Sequence, residues 1–337
     1  MAIKGKPDSN IEYMAEDSNT PNASQRLFNL IIKEFREACS KVKVPPAVGD
    51  HNKYIRNTIL DQGRGDYDSP REGLSCEELV SFYNYYYLGM HYSSSLQIFD
   101  EFYDQLFSRS LDEKDLIFID FGCGTLASSL AFARVCKKHN YSRPINYLCI
   151  DRSLAMLRKA KEISKTVFEA DGDLNDTQLW YCSLQEGERQ IEDKFNLILD
   201  VDSDQKIVEL LKDREEEIIY TNIYKSSSQS QPGLLEIIEQ NIGIGDDYSI
   251  IFNFCYLFAS ESLNIEKIVE LVKEVLEKHP DIPVYAFFQN PDLKILNIKW
   301  EEFKKEIDPL LKSRKSGLKK VQFFEHIEVK YEILSNA

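Results

Sequence analysis

The 337-residue chain lacks any stretch approaching the ~18 consecutive apolar residues that would span a bilayer. Its first two dozen residues, Met1 to Ser24, hold no apolar signal-peptide core. Both absences lead us to expect a cytoplasmic protein with a loose polar tail and no membrane partner. The seven cysteines include no C-x-x-C pair, and their odd, scattered placement argues against a disulfide framework. The five histidines are equally dispersed, so no metal site is expected. Positive charge is also short. With 41 Lys and Arg against 56 Asp and Glu, the formal net charge is −15. Nucleic-acid affinity rests largely on cations that neutralise phosphates. This balance argues against a broad nucleic-acid surface and leaves small molecules or proteins as the expected substrates. Composition sets no oligomeric state.

Apolar residues make up 43% of the chain, ample for a core. Leu27, Leu30, Ile31, Phe35 and Ala38 recur at helical spacing, which predicts an amphipathic helix over Ser24–Cys39. Gly63-Arg64-Gly65-Asp66 and Asp68-Ser69-Pro70 mark a turn-rich stretch. Ser75-Cys76-Glu77-Glu78 has the S-x-x-E spacing of a capping box and opens a second helical region reaching Phe107, with Gly89 or Ser93–Ser95 as possible breaks. From Asp115 strands and helices alternate: Leu116–Ile119, Thr125–Lys137, Ile145–Ile150 and Ser153–Ser164. That order implies a parallel sheet with right-handed crossovers. Leu179–Leu184, Tyr248–Leu257 and Val284–Phe288 continue the strands, and Asn264–His279 reads as a helix. Val321–Phe324 and Ile327–Ile333 form an expected antiparallel pair at one sheet edge. The expected division is a polar tail (1–23), a helical N-terminal cap (24–110) and an α/β domain (111–337) with an insertion at about 187–243. The charged run Lys212–Glu217 reads as a solvated helix end, and Lys312–Lys320 (KSRKSGLKK) as an exposed basic loop.

The chemistry-bearing segment is Asp120-Phe-Gly-Cys-Gly-Thr125, with Asp151 ending the next strand. Glycine lets the backbone turn sharply and approach a ligand. The helix that follows offers unpaired N–H groups, and a carboxylate at Asp151 suits a pair of ribose hydroxyls. Both strand ends fall on the side where open α/β sheets bind ligands. A dinucleotide site is the looser alternative. Asp120 would repel a pyrophosphate and attract a cationic amino group, and Gly122 to Asp151 exceeds the ~20 residues expected for dinucleotide binding.

At D-F-G-C-G-T and at C-I-D-R-S-L-A-M-L-R-K-A (Cys149–Ala160) the chain resembles class I S-adenosylmethionine-dependent methyltransferases. The resemblance covers about 45 residues. It implies a Rossmann-like seven-stranded α/β sheet that carries the N-terminal extension and the internal insertion. S-adenosyl-L-methionine is the implied cofactor. Asp120 and the backbone of Gly122, Cys123 and Gly124 would face its methionine part, Asp151 its ribose and Arg152 its adenine. Asp173 is one candidate for the adenine edge, and Ser183 or Gln185 another. Leu126 departs from the family, which often carries a third glycine there. Asn253 and Tyr256, at the end of the fourth strand, would lie beside the sulfonium. His91, in the tyrosine run Tyr85–Tyr92, is a candidate base. The implied activity is methyl transfer to a small molecule or a protein, with an RNA methyltransferase and a non-catalytic cofactor-binding module as alternatives.

Overall fold

The structure, a computed structural model, describes residues 23–43, 48, 50–106, 115–141, 143, 145–171, 178–183, 234, 238–239, 248–260, 263–322 and 326–336. Asp173, Gln185 and nearly all of 187–243 lie outside the described residues, as does Lys212–Glu217.

Among the described residues seven strands form one sheet: β1 (Asp115–Phe121), β2 (Ile145–Asp151), β3 (Gln178–Ser183), β4 (Tyr248–Cys255), β5 (Val284–Pro291), β6 (Lys312–Gln322) and β7 (His326–Ser335). Their order is β3-β2-β1-β4-β5-β7-β6. The first five strands run parallel to one another, and β7 is antiparallel to both β5 and β6. The expected seven-stranded sheet with an antiparallel pair at one edge is therefore present. The central strands are apolar on both faces because both faces are covered. Phe118 meets Phe99 and Phe132 on one side, while Ile117, Ile119 and Phe121 join Phe252, Phe254, Trp300 and Phe303 on the other.

Among the described residues the α-helices are α1 (Ala23–Cys39), α2 (His51–Tyr54), α3 (Cys76–Tyr83), α4 (Gly89–Leu106), α5 (Ala127–Lys138), α6 (Leu154–Asp171), α7 (Ile265–Lys278) and α8 (Lys294–Ile307). Ser75 and Glu78 make the expected capping box. The helical region does not break at Gly89 or at Ser93–Ser95. A π turn, Asn84–Leu88, instead joins α3 directly to α4. α8 had no counterpart in the sequence reading. Lys312–Lys320 is likewise not a loop. It forms most of the edge strand β6, where exposed lysines shield an unpaired strand edge. Among the described residues no helix is long and apolar enough to cross a membrane, and no cluster of potential metal ligands occurs. The cysteines whose side chains are described are free thiols.

Candidate functional site

The strand order reverses between β1 and β4, so their carboxyl ends diverge and open a crevice. A cavity of about 540 Å³ occupies it, lined after β1 by Gly122–Gly124, after β2 by Asp151–Ser153 and after β4 by Cys255–Leu257. The N-terminal segment supplies the facing wall, with residues Gly63–Asp68, Tyr83 and His91.

The turn after β1 is built by backbone geometry. Gly122 and Gly124 adopt φ of +70° and +52°, which L side chains rarely take. A Cβ on Gly122 would also lie 2.9 Å from Leu257 Cδ1. The N–H groups of Gly122 and Cys123 both donate to the Ile150 carbonyl, at 2.7 and 3.0 Å, tying the turn to β2. Asp151 fastens the same two segments. Its Oδ2 accepts from Gly124 N at 2.9 Å and its Oδ1 from Ser153 N at 2.8 Å. Burial pushes its carboxyl above the usual carboxylate range, against the pull of those two N–H groups.

Leu126, where a third glycine is common in the family, has φ +74° and ψ 21°. Left-handed backbone costs an L residue about 1–2 kcal/mol. The side chain offsets that cost by packing, fully buried, into the core beside Leu130 and Phe132. Leu126→Gly relieves the strain but removes the packing, whereas Leu126→Ala removes the packing and keeps the strain. Both are expected to destabilise, Gly less than Ala by about 1 kcal/mol in urea denaturation, the reverse of helix propensity. Equal or opposite losses would show that the backbone at Leu126 is unstrained.

Asp120 does not face the cavity. It is 2% exposed and each carboxylate oxygen is bonded internally, Oδ2 by Ser129 Oγ at 2.6 Å and Oδ1 by Asn253 Nδ2 at 2.7 Å. Asn253 stands opposite Asp120 in the β1–β4 register and also lies outside the cavity lining. Its Oδ1 accepts from Cys255 Sγ at 2.9 Å. Asp120 and Asn253, expected at a cationic amino group and beside the reacting centre, are therefore bonded to each other, and neither is among the residues that line the cavity. Asp120 then loses its value for distinguishing an amino-acid moiety from a pyrophosphate. Tyr256, Arg152, Cys123 and His91 line the cavity.

His91 and Tyr256 stack with ring centroids 3.8 Å apart. Tyr83 Oη lies 3.2 Å from His91 Nδ1, and Tyr256 Oη shares a hydrogen with Ser94 Oγ at 2.8 Å. Further bonds bind the N-terminal helices to the crevice floor. Thr125 Oγ1 donates to Asn84 Oδ1 at 2.5 Å, and Ser95 Oγ meets Ser128 Oγ at 2.9 Å. Asn84 opens the π turn, a local widening of the helix common at functional sites. Sequence reading missed the contribution of Gly63–Asp68. Asp68 accepts from Ser153 Oγ, Leu154 N and Ala155 N at 3.0, 3.1 and 3.0 Å, so a residue 85 positions upstream caps α6.

Two buried groups titrate in opposite senses. Burial pushes the Asp120 carboxyl up to about 6, opposed by its bonds from Ser129 and Asn253 and aided by the Asp151 charge. Unfolded Asp titrates near ~3.9. Asp120 therefore favours folding most at low pH, and its contribution declines as pH rises from about 4 to 6. Burial lowers His91 to about 3. Its neutral ring favours folding above the unfolded value of ~6.5, and that contribution is lost as pH falls. The two slopes oppose each other between about pH 4 and 6. Asp120→Asn removes the falling one, so the variant's stability relative to wild type is expected to rise across that interval by up to ~3 kcal/mol. Urea denaturation at several pH values reads this, and a pH-independent difference would refute it.

No protein-family model matches the chain, and no curated protein matches its sequence. Similar solved structures include the CMeT domain of the citrinin polyketide synthase, at 12% identity and TM-score 0.42, covering 93% of this chain and 79% of that one. DszA carbon methyltransferase is 9% identical with TM-score 0.37, covering 92% and 69%. An S-adenosylmethionine-dependent methyltransferase of Leishmania major is 11% identical with TM-score 0.33, covering 82% and 90%. By its own strand order, its antiparallel edge and its Gly-rich turn, the chain has the Rossmann-like seven-stranded methyltransferase fold that its two motifs imply.

Proposed function

We propose that the chain binds S-adenosylmethionine in this crevice and transfers its methyl group to a small-molecule or protein acceptor. The observation that carries the reading is the juxtaposition, at the sheet's switch point, of the Gly122–Gly124 backbone with the Asp151 carboxylate on one continuous cavity. The residues present fit the cofactor. Glycine at position 122 lets the turn lie against Leu257, where a Cβ would clash, and so brings the loops after β1 and β4 together on the cavity. Each Asp151 oxygen accepts one N–H and keeps capacity for a ribose hydroxyl. The volume falls within the range of ordinary ligand pockets.

The cofactor supplies a methyl group already activated by its sulfonium; the protein's task is position and dryness. Gly122, Cys123 and Gly124 hold one end, and Asp151 and Arg152 the other. Tyr83, His91 and Tyr256 form an aromatic wall that excludes water. With its ring lowered to about 3, His91 stays neutral near pH 7 and orients an acceptor through hydrogen bonds; it is too weak a base to hold the acceptor's proton. Tyr256, fixed by Ser94, sets the ring against which His91 stacks.

Neither alternative gains from the geometry. The basic segment that would serve RNA lies on β6, with β5 and β7 between it and β4. The crevice is not filled by Leu126, whose side chain lies in the core. Calorimetric titration of the wild-type chain with S-adenosylmethionine and with NAD tests the reading. Saturable binding of the former alone is expected, and a folded chain that ignores it, or prefers NAD, overturns the proposal.

A further inference from the structure

Tyr67 lines the cavity and is only 6% exposed, yet its hydroxyl has no hydrogen-bond partner among the described residues. An unpaired buried hydroxyl costs about 1–3 kcal/mol, and such groups call for an explanation. The ring is held edge-on against Tyr83, with centroids 5.4 Å apart and planes at 77°. The next residue, Asp68, is bound to Ser153 Oγ and to the first N–H groups of α6, while Asp151 accepts from Ser153 N. Tyr67 and Asp151 are thus fastened to one helix N-terminus from two sides, and both line the cavity.

We propose that Tyr67 is a binding residue for a vicinal diol, donating its hydroxyl hydrogen to a ribose oxygen whose partner hydrogens go to Asp151. The chemistry of the donors requires such a division. A carboxylate only accepts, so it takes the hydrogens of the diol and leaves the diol oxygens in need of a donor. A phenol supplies one. The nucleoside site is then composite, half from the end of β2 and half from the N-terminal segment. This assignment rests on the S-adenosylmethionine reading and adds to it a residue that no motif marks.

Calorimetry with S-adenosylhomocysteine and its 2′-deoxy and 3′-deoxy analogues, on wild type and Tyr67→Phe, is the test. Tyr67→Phe is expected to weaken S-adenosylhomocysteine about five- to thirtyfold, the equivalent of one hydrogen bond. The loss should vanish for the deoxy analogue that lacks the contacted oxygen. The ligand-free variant should melt at the wild-type temperature or above, because it sheds an unpaired buried hydroxyl. Wild-type binding with unchanged affinity in Tyr67→Phe, an equal loss for all three ligands, or a lowered melting temperature would each overturn the assignment. Failure of wild type to bind S-adenosylhomocysteine would instead overturn the cofactor reading itself, and this assignment with it.

Discussion

Asp151→Ala is expected to abolish measurable S-adenosylmethionine binding, weakening it at least about a hundredfold, and to destabilise the ligand-free chain by roughly 2–4 kcal/mol. The binding loss follows from deleting both acceptors offered to the ribose diol. The stability loss has a separate origin in the two N–H groups the carboxylate now satisfies, Gly124 N and Ser153 N. Both become orphaned in a buried setting. Some of that cost is offset, because the carboxyl is itself raised by burial and its removal relieves a desolvated charge. Asp151→Asn separates the two roles. An amide keeps one acceptor and the shape, so it should restore about half of the stability and little of the affinity. Thermal melting would show falls on the order of 5 °C for Ala and less for Asn. A variant that binds like wild type would place the ribose elsewhere.

Asp68→Ala is expected to be nearly as damaging although no sequence motif marks the residue. Its carboxylate receives three hydrogen bonds from the start of α6, two of them from backbone N–H groups that no residue within the helix can satisfy. A single N-cap is worth about 1 kcal/mol, and a charge at a helix N-terminus adds to it, so a loss of about 2–3 kcal/mol is expected. Ligand binding should fall more than stability alone explains, since Gly63–Asp68 would leave the cavity wall. Hydrogen exchange at residues 63–68 reads that release directly. Protection as in wild type would mean that other contacts, such as those of Arg71 with the Ile59 and Asp66 carbonyls, hold the loop.

What was legible in the sequence was local. The Gly-rich turn announced itself through residues that must take positive φ, and Asp151 through its place at a strand end. Ser75 and Glu78 formed the expected capping box because its partners lie three residues apart. What was not legible depended on long-range pairing. Asp120 reads as a ligand-facing acid until Ser129 and Asn253, 9 and 133 positions away, are seen to bond its two oxygens. The Gly63–Asp68 stretch reads as punctuation, and its docking onto α6 spans more than 80 residues. β6 escaped notice because an edge strand keeps one side in water, so its lysines mimic a loop. α8 was hidden for a related reason: Ile295 and Ile298 are exposed, which blurs its apolar stripe.

The most direct test is a crystal structure of the chain soaked with S-adenosylhomocysteine. The account predicts the ribose between Asp151 and Tyr67, with the homocysteine part running past Gly122 and Gly124 toward Tyr256. Density for the ligand outside the crevice, or a ribose that touches neither Asp151 nor Tyr67, would contradict it.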